Sequence, residues 1–121
     1  MTVVRGIRGA ITVERDEAAL LLDATERLLR EIVTQNAVVP DDIASALFTL
    51  TPDLRSQFPA AAARRMGWIL VPLLNFTEIG VPGGLERCIR VLLHVNTEKT
   101  AQEIRHVYLD GARVLRPDLT A

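Results

Sequence analysis

The sequence predicts an α/β (α+β) fold, a mixed β-sheet with helices packed over one face. Two observations lead there. Strand-like runs alternate with two helical segments along the chain, and the longer helix is amphipathic. The length of 121 residues adds that one domain, residues 1–121, holds them all.

Val3 to Val13 (VVRGIRGAITV) reads as the first strand. One face carries Val3, Ile7, Ile11 and Val13; the other carries Gly6, Arg8, Ala10 and Thr12. Asp16 is placed to cap a helix that runs to about Gln35. Its apolar positions Ala18, Leu21, Leu22, Leu28, Leu29, Ile32 and Val33 recur at helical spacing. The opposite face offers Asp23 with Arg27 and Glu26 with Arg30 as i,i+4 pairs, and Asn36 suits the exit. Pro40-Asp41-Asp42 makes a turn into a second strand, Ile43 to Leu50. Phe58-Pro59 opens a short helix that Gly67 ends. Trp68 to Pro72 is expected as the third strand, and residues 73–84 as a loop punctuated by Gly80, Pro82, Gly83 and Gly84. Arg87 to Val95 is the fourth strand. A helical turn covers about Thr100 to Glu103, and His106 to Leu115 supplies the last strand material. A mobile C-terminal tail is expected from about residue 115.

Composition narrows the function classes. Hydrophobic residues make up 49% of the chain and charged residues 24%, the balance of an ordinary globular protein. Aromatics are only 4%, so the core must be mostly aliphatic, and a small aliphatic chain often completes its burial by oligomerising. A formal net charge of −1 argues against sequence-independent nucleic-acid binding. The longest apolar run, near Trp68 to Leu74, is interrupted by Pro72 and too short to span a membrane. The N-terminal residues lack the apolar core of a signal peptide, which makes the cytoplasm the expected location. The lone cysteine, Cys88, excludes an intrachain disulfide and a cysteine-based metal site. Phosphate loop, dinucleotide fingerprint, clustered histidines and nucleophile elbow are all missing, so no cofactor and no metal are expected.

What remains is a set of arginines where strands should be apolar. Of the 14 basic residues, 13 are Arg. Arg90 lies mid-strand in CIRVLLHV, with Cys88 and Leu92 as its neighbours on the same face. Arg8 lies among small residues on the first strand. A guanidinium in such a place is costly unless it meets an anion, which is either an internal carboxylate or an anionic ligand. Glu78 lies in the loop after the third strand, where alone it reads as an exposed loop acid. Tyr108 is the only tyrosine, its hydroxyl free to cap a carboxylate or face water.

In order along the chain, RGIRGAITVERD (5–16), TPDL (51–54), FPAAAAR (58–64), GGLERCIRV (83–91), IRHVYL (104–109) and VLRPDL (114–119) resemble the AroH-class chorismate mutases over nearly the whole length. The resemblance implies a homotrimer with a barrel-like core and active sites in the clefts between subunits. It implies Arg90 beside the ether oxygen of chorismate, and Glu78 facing the ring hydroxyl and the allylic fragment. Arg8 and Tyr108 would hold substrate carboxylate. Phe58 and Arg64 would reach across from the neighbouring subunit, with Arg65 leaving open which arginine does so. Leu115 and Arg116 would belong to a closing tail. Ala61 stands where some relatives carry Lys, and Asn75 where some carry Cys near the ring hydroxyl. The implied activity is the cofactor-free rearrangement of chorismate to prephenate, in aromatic amino-acid biosynthesis. A non-catalytic trimer binding a small anionic metabolite, or a structural module with every arginine paired internally, are the rival readings.

Overall fold

A computed structural model describes residues 1–117. Five strands and two α-helices follow in the order β1 (Val3–Thr12), α1 (Ala18–Asn36), β2 (Ile43–Leu50), α2 (Ala60–Arg65), β3 (Leu73–Thr77), β4 (Cys88–Thr97) and β5 (Val107–Leu109). They form one mixed sheet of order β3-β2-β4-β1-β5. The central strand β4 runs antiparallel to both β1 and β2, whereas β2/β3 and β1/β5 are parallel pairs. The α+β class and the helices expected on one face are as the alternation predicts.

The helical face of the sheet is the main core. Ile7 and Ile11 of β1, Phe48 of β2, and Ile89 and Leu93 of β4 are completely buried there. Leu21, Leu28, Leu29 and Ile32 of α1 close over them. Gly9 lets the helix come close: a Cβ built there would stand 2.7 Å from Ile32 Cδ1 and 3.1 Å from Leu28 Cδ1. Both side chains are fully buried, and the backbone oxygen of Val107 stands 3.3 Å from the same point. Gly9→Val is therefore expected to destabilise the fold by about 1–3 kcal/mol, read as a lowered urea midpoint at unchanged slope.

Several local expectations need correction. The helix begins at Ala18 with Glu17 at the cap position, not Asp16. The Asp16 carboxylate instead accepts the backbone N–H groups of Arg55 and Ser56 at 2.9 and 3.0 Å, tying down the loop before α2. Glu26 does pair with Arg30. Asp23 does not pair with Arg27; it meets Arg65, and Arg27 forms a two-pronged bridge to Asp110 at 2.9 and 3.0 Å. Asn36 ends α1 and bridges Ile32 O and the backbone of Arg105.

The third strand is displaced. Trp68 to Pro72 is not a strand, because Trp68 N–H bonds back to Ala63 O and its ring is buried in the core. Pro72 has no N–H to give to a ladder; its carbonyl accepts from Ala46 at 3.0 Å and leads into β3, residues 73–77, where a loop was expected. The last strand is shorter than expected. It stops at Leu109 because Asp110 turns to a positive φ of 53°, and Asp110–Leu115 is a 3-10 helix. The end of the VLRPDL stretch, residues 118 and 119, lies outside the described residues.

Candidate active site

The face of the sheet away from α1 carries no α-helix among the described residues; the 3-10 segment Asp110–Leu115 covers only its Ala10 and Cys88 end. Strand register puts Arg8 opposite Leu92, Ala10 opposite Arg90, Leu47 opposite Leu92 and Thr49 opposite Arg90. The guanidinium thus rises between a small residue and a hydroxyl, which leaves it room. A cleft of about 350 Å³ opens there, lined by Arg8, Arg90, Glu78 and Tyr108 together with Leu47, Thr49, Phe76 and Leu92. Four of the expected site residues therefore meet in one place, although they come from β1, β4, the residue after β3, and β5.

Arg90 meets one of the chain's own acids. Its Nε lies 3.3 Å from Glu78 Oε1, with the two side chains 34% and 24% exposed. The geometry is not a hydrogen bond, and Arg90 Nε is buried without a partner. No other carboxylate of the described residues lies within 4 Å of it. The pair is thus a charge contact inside the cleft, not a closed fork remote from it. Glu78 is held from β2: Thr49 Oγ1 donates to its Oε1 at 2.7 Å, and its own N–H donates to Leu50 O at 2.7 Å.

Tyr108 is 3% exposed, and its hydroxyl has no hydrogen-bond partner among the described residues. A buried orphan hydroxyl at a cleft wall is poised for a ligand oxygen. Its ring packs with Ala10, Cys88 and Ala112, and Leu115 joins this cluster. Arg8 is positioned through its backbone, whose N–H donates to His106 Nδ1 at 2.9 Å. Burial, then the charges of Arg8 and Arg116, hold the His106 pKa below its ordinary 6.5, so the ring is neutral and keeps that acceptor. Burial raises the pKa of the Cys88 thiol, which makes it a packing residue and not a nucleophile.

The remaining expected residues stand elsewhere. Phe58 is 63% exposed beside α2, and Arg64 is exposed on that helix. Arg65 is engaged by Asp23 and Glu26 of α1, which leaves Arg64 as the outward arginine. Asn75 pairs in register with the buried Phe48, so it points to the helical side, and its Oδ1 accepts Ala60 N–H at 3.0 Å. Phe58, Arg64 and Asn75 thus gather around α2, away from the cleft of their own subunit. Sequence reasoning missed Thr49, Leu47 and Phe76. Alternation in β2 separates Leu47 and Thr49 from the core positions Ala46 and Phe48, but only the register places them opposite Arg90.

Among the described residues, no three His, Cys, Asp or Glu side chains gather as a metal site. No helix of the described residues is long and apolar enough to cross a membrane.

The family model for chorismate mutase type I matches residues 4–119. The chain belongs to this family. Chorismate mutase AroH of Bacillus subtilis (strain 168) is 47% identical over 119 residues, covering 98% of this chain and 94% of the relative. The Thermus thermophilus enzyme of the same name is 49% identical over 118 residues, covering 97% of each. A solved chorismate mutase from Clostridium thermocellum superimposes with a TM-score of 0.90 at 50% identity, covering 91% of this chain and 98% of that one. Among type I chorismate mutases, then, this chain presents an arginine-lined cleft on the open face of its sheet.

Proposed function

We infer that the protein rearranges chorismate to prephenate as a cytoplasmic chorismate mutase, without a cofactor. The observation that carries this reading is the Arg90 guanidinium, held in an apolar-walled cleft with Glu78 across from it. The reaction is an intramolecular [3,3] shift. It needs no nucleophile and no proton transfer, only a compact substrate conformer and stabilisation of the dipole that grows as the C–O bond breaks. Arg90 faces the ether oxygen as it gains negative charge. Glu78 faces the ring side as it becomes electron-poor. Arg8 and the Tyr108 hydroxyl hold carboxylate, while Leu47, Phe76 and Leu92 give the carbon skeleton an apolar wall.

An acceleration of about 10⁶ corresponds to roughly 8 kcal/mol. One donor at a developing oxyanion supplies about 3–4 kcal/mol, so restraint of the substrate must provide the rest. Purified protein with no addition should consume chorismate, followed by the loss of its ultraviolet absorbance. Thermal stabilisation by prephenate without any turnover would instead mark a binder.

The working unit in this reading is a homotrimer. Leu74 and Phe76 of β3, with Ile69, Leu70, Ile79 and Val81 nearby in sequence, are all at least 47% exposed. That is more apolar surface on neighbouring segments than a lone subunit usually leaves wet. Across such an interface, Phe58, Arg64 and Asn75 of one subunit complete the cleft of the next, and Arg116 and Leu115 close it. Leu115 packs on the Tyr108 cluster from a short 3-10 helix and contributes little to the main core. Truncation before Leu115 is expected to raise KM about tenfold or more while the assembly persists in ultracentrifugation. Dissociation of the truncated protein would show the tail to be structural.

A further inference from the structure

We propose that Thr49 is a positioning residue for the rearrangement, fixing the Glu78 carboxylate against the substrate and keeping it from closing onto Arg90; this rests on the chorismate mutase reading above. Thr49 lies on β2, directly across from Arg90 on β4, and lines the same cleft. Its hydroxyl donates to Glu78 Oε1 at 2.7 Å. The next residue, Leu50, accepts the Glu78 N–H at 2.7 Å. Two consecutive residues of β2 therefore hold Glu78, one by its backbone and the other by its side chain.

The need for the second bond follows from where Glu78 stands. It is the first residue beyond β3, so no ladder continues past it, and its side chain has several rotatable bonds. The two contacts given above, from Thr49 Oγ1 and Arg90 Nε, both fall on Oε1, and only the first has hydrogen-bond geometry. Without the Thr49 hydroxyl, the strongest remaining attraction on the carboxylate is the guanidinium. A carboxylate free to turn would make the two-pronged pair with Arg90. That would occupy the donors which the ether oxygen needs and withdraw the negative charge from the ring side. Thr49 thus keeps two opposite charges adjacent but not joined.

The test is a mutant cycle followed by steady-state kinetics. Thr49→Val keeps the branched shape and removes the hydroxyl. It should lower kcat about tenfold while KM changes by about twofold or less, because a misplaced charge weakens the transition state more than the ground state. Thr49→Ser restores the donor and should recover most of the loss. In a Glu78→Ala background, Thr49→Val should cost nothing further, since the group it positions is gone. Melting temperatures of all variants exclude a loss of fold as the cause. A kcat for Thr49→Val within twofold of the parent, or the same loss with and without Glu78, would overturn the proposal. Full activity of Glu78→Ala alone would overturn the role of Glu78 and that of Thr49 with it. A parent protein without turnover would instead refute the chorismate mutase reading itself.

Discussion

Arg90→Ala is expected to lower kcat by roughly a thousandfold, with a rise in KM of only about tenfold or less. The asymmetry is the informative part. In the proposed site Arg8 and the Tyr108 hydroxyl hold the substrate carboxylates, so ground-state binding would not depend on Arg90 alone. The ether oxygen carries little charge in chorismate and gains it only as the bond parts, so the contact proposed for Arg90 would strengthen during the reaction. Removing the guanidinium also leaves Glu78 in the cleft with its positive neighbour gone, which further opposes a dianionic substrate. Arg90→Lys should remain poor. An ammonium is a point charge without the planar fork, and from the shorter reach it would settle against Glu78. Steady-state rates from the loss of chorismate absorbance check this. A near-normal kcat for Arg90→Ala would sink the assignment of roles, provided its melting temperature shows the fold intact.

The strands that carry Arg8 and Arg90 were legible because each alternates cleanly around a buried face. Ile7 and Ile11 in β1, and Ile89, Val91 and Leu93 in β4, mark that face unambiguously. The long helix was legible for the same reason at its own period. β3 was not legible, since Leu73 to Thr77 lacks alternation with charge and becomes a strand only through its register with β2. That miss hid more than one strand. Once residues 73–77 form a strand, period two sends Leu74 and Phe76 to the cleft side and Asn75 to the α2 side. The Glu78 contact with Arg90 was hidden as well. It depends on where β3 ends beside β2 and on the β2/β4 register, neither of which is written in the local sequence. Neither arginine strand carries an acid of its own. The acid arrives from the residue after β3, two strands from Arg90.

The split between the two groups of proposed site residues leads to the second large effect. Arg8, Glu78, Arg90 and Tyr108 share one cleft, whereas Phe58, Arg64 and Asn75 gather at α2 on the other side of the sheet. If neighbouring subunits join the two groups, Arg64→Ala and Arg90→Ala trimers should each be nearly inactive, for different halves of every site. Mixed by co-refolding in equal amounts, they should regain activity. An intact site needs its Arg90 from an Arg64→Ala chain and its Arg64 from an Arg90→Ala neighbour. Each condition is met about half the time in random assembly, so about a quarter of sites recover. Merely mixing the folded trimers should restore nothing until subunits exchange. If each subunit instead carried a complete site, every chain in the mixture would still lack one arginine, and activity would stay at the level of the two mutants. Restoration near one quarter, appearing only after exchange, therefore separates a site shared between subunits from one built within a single chain.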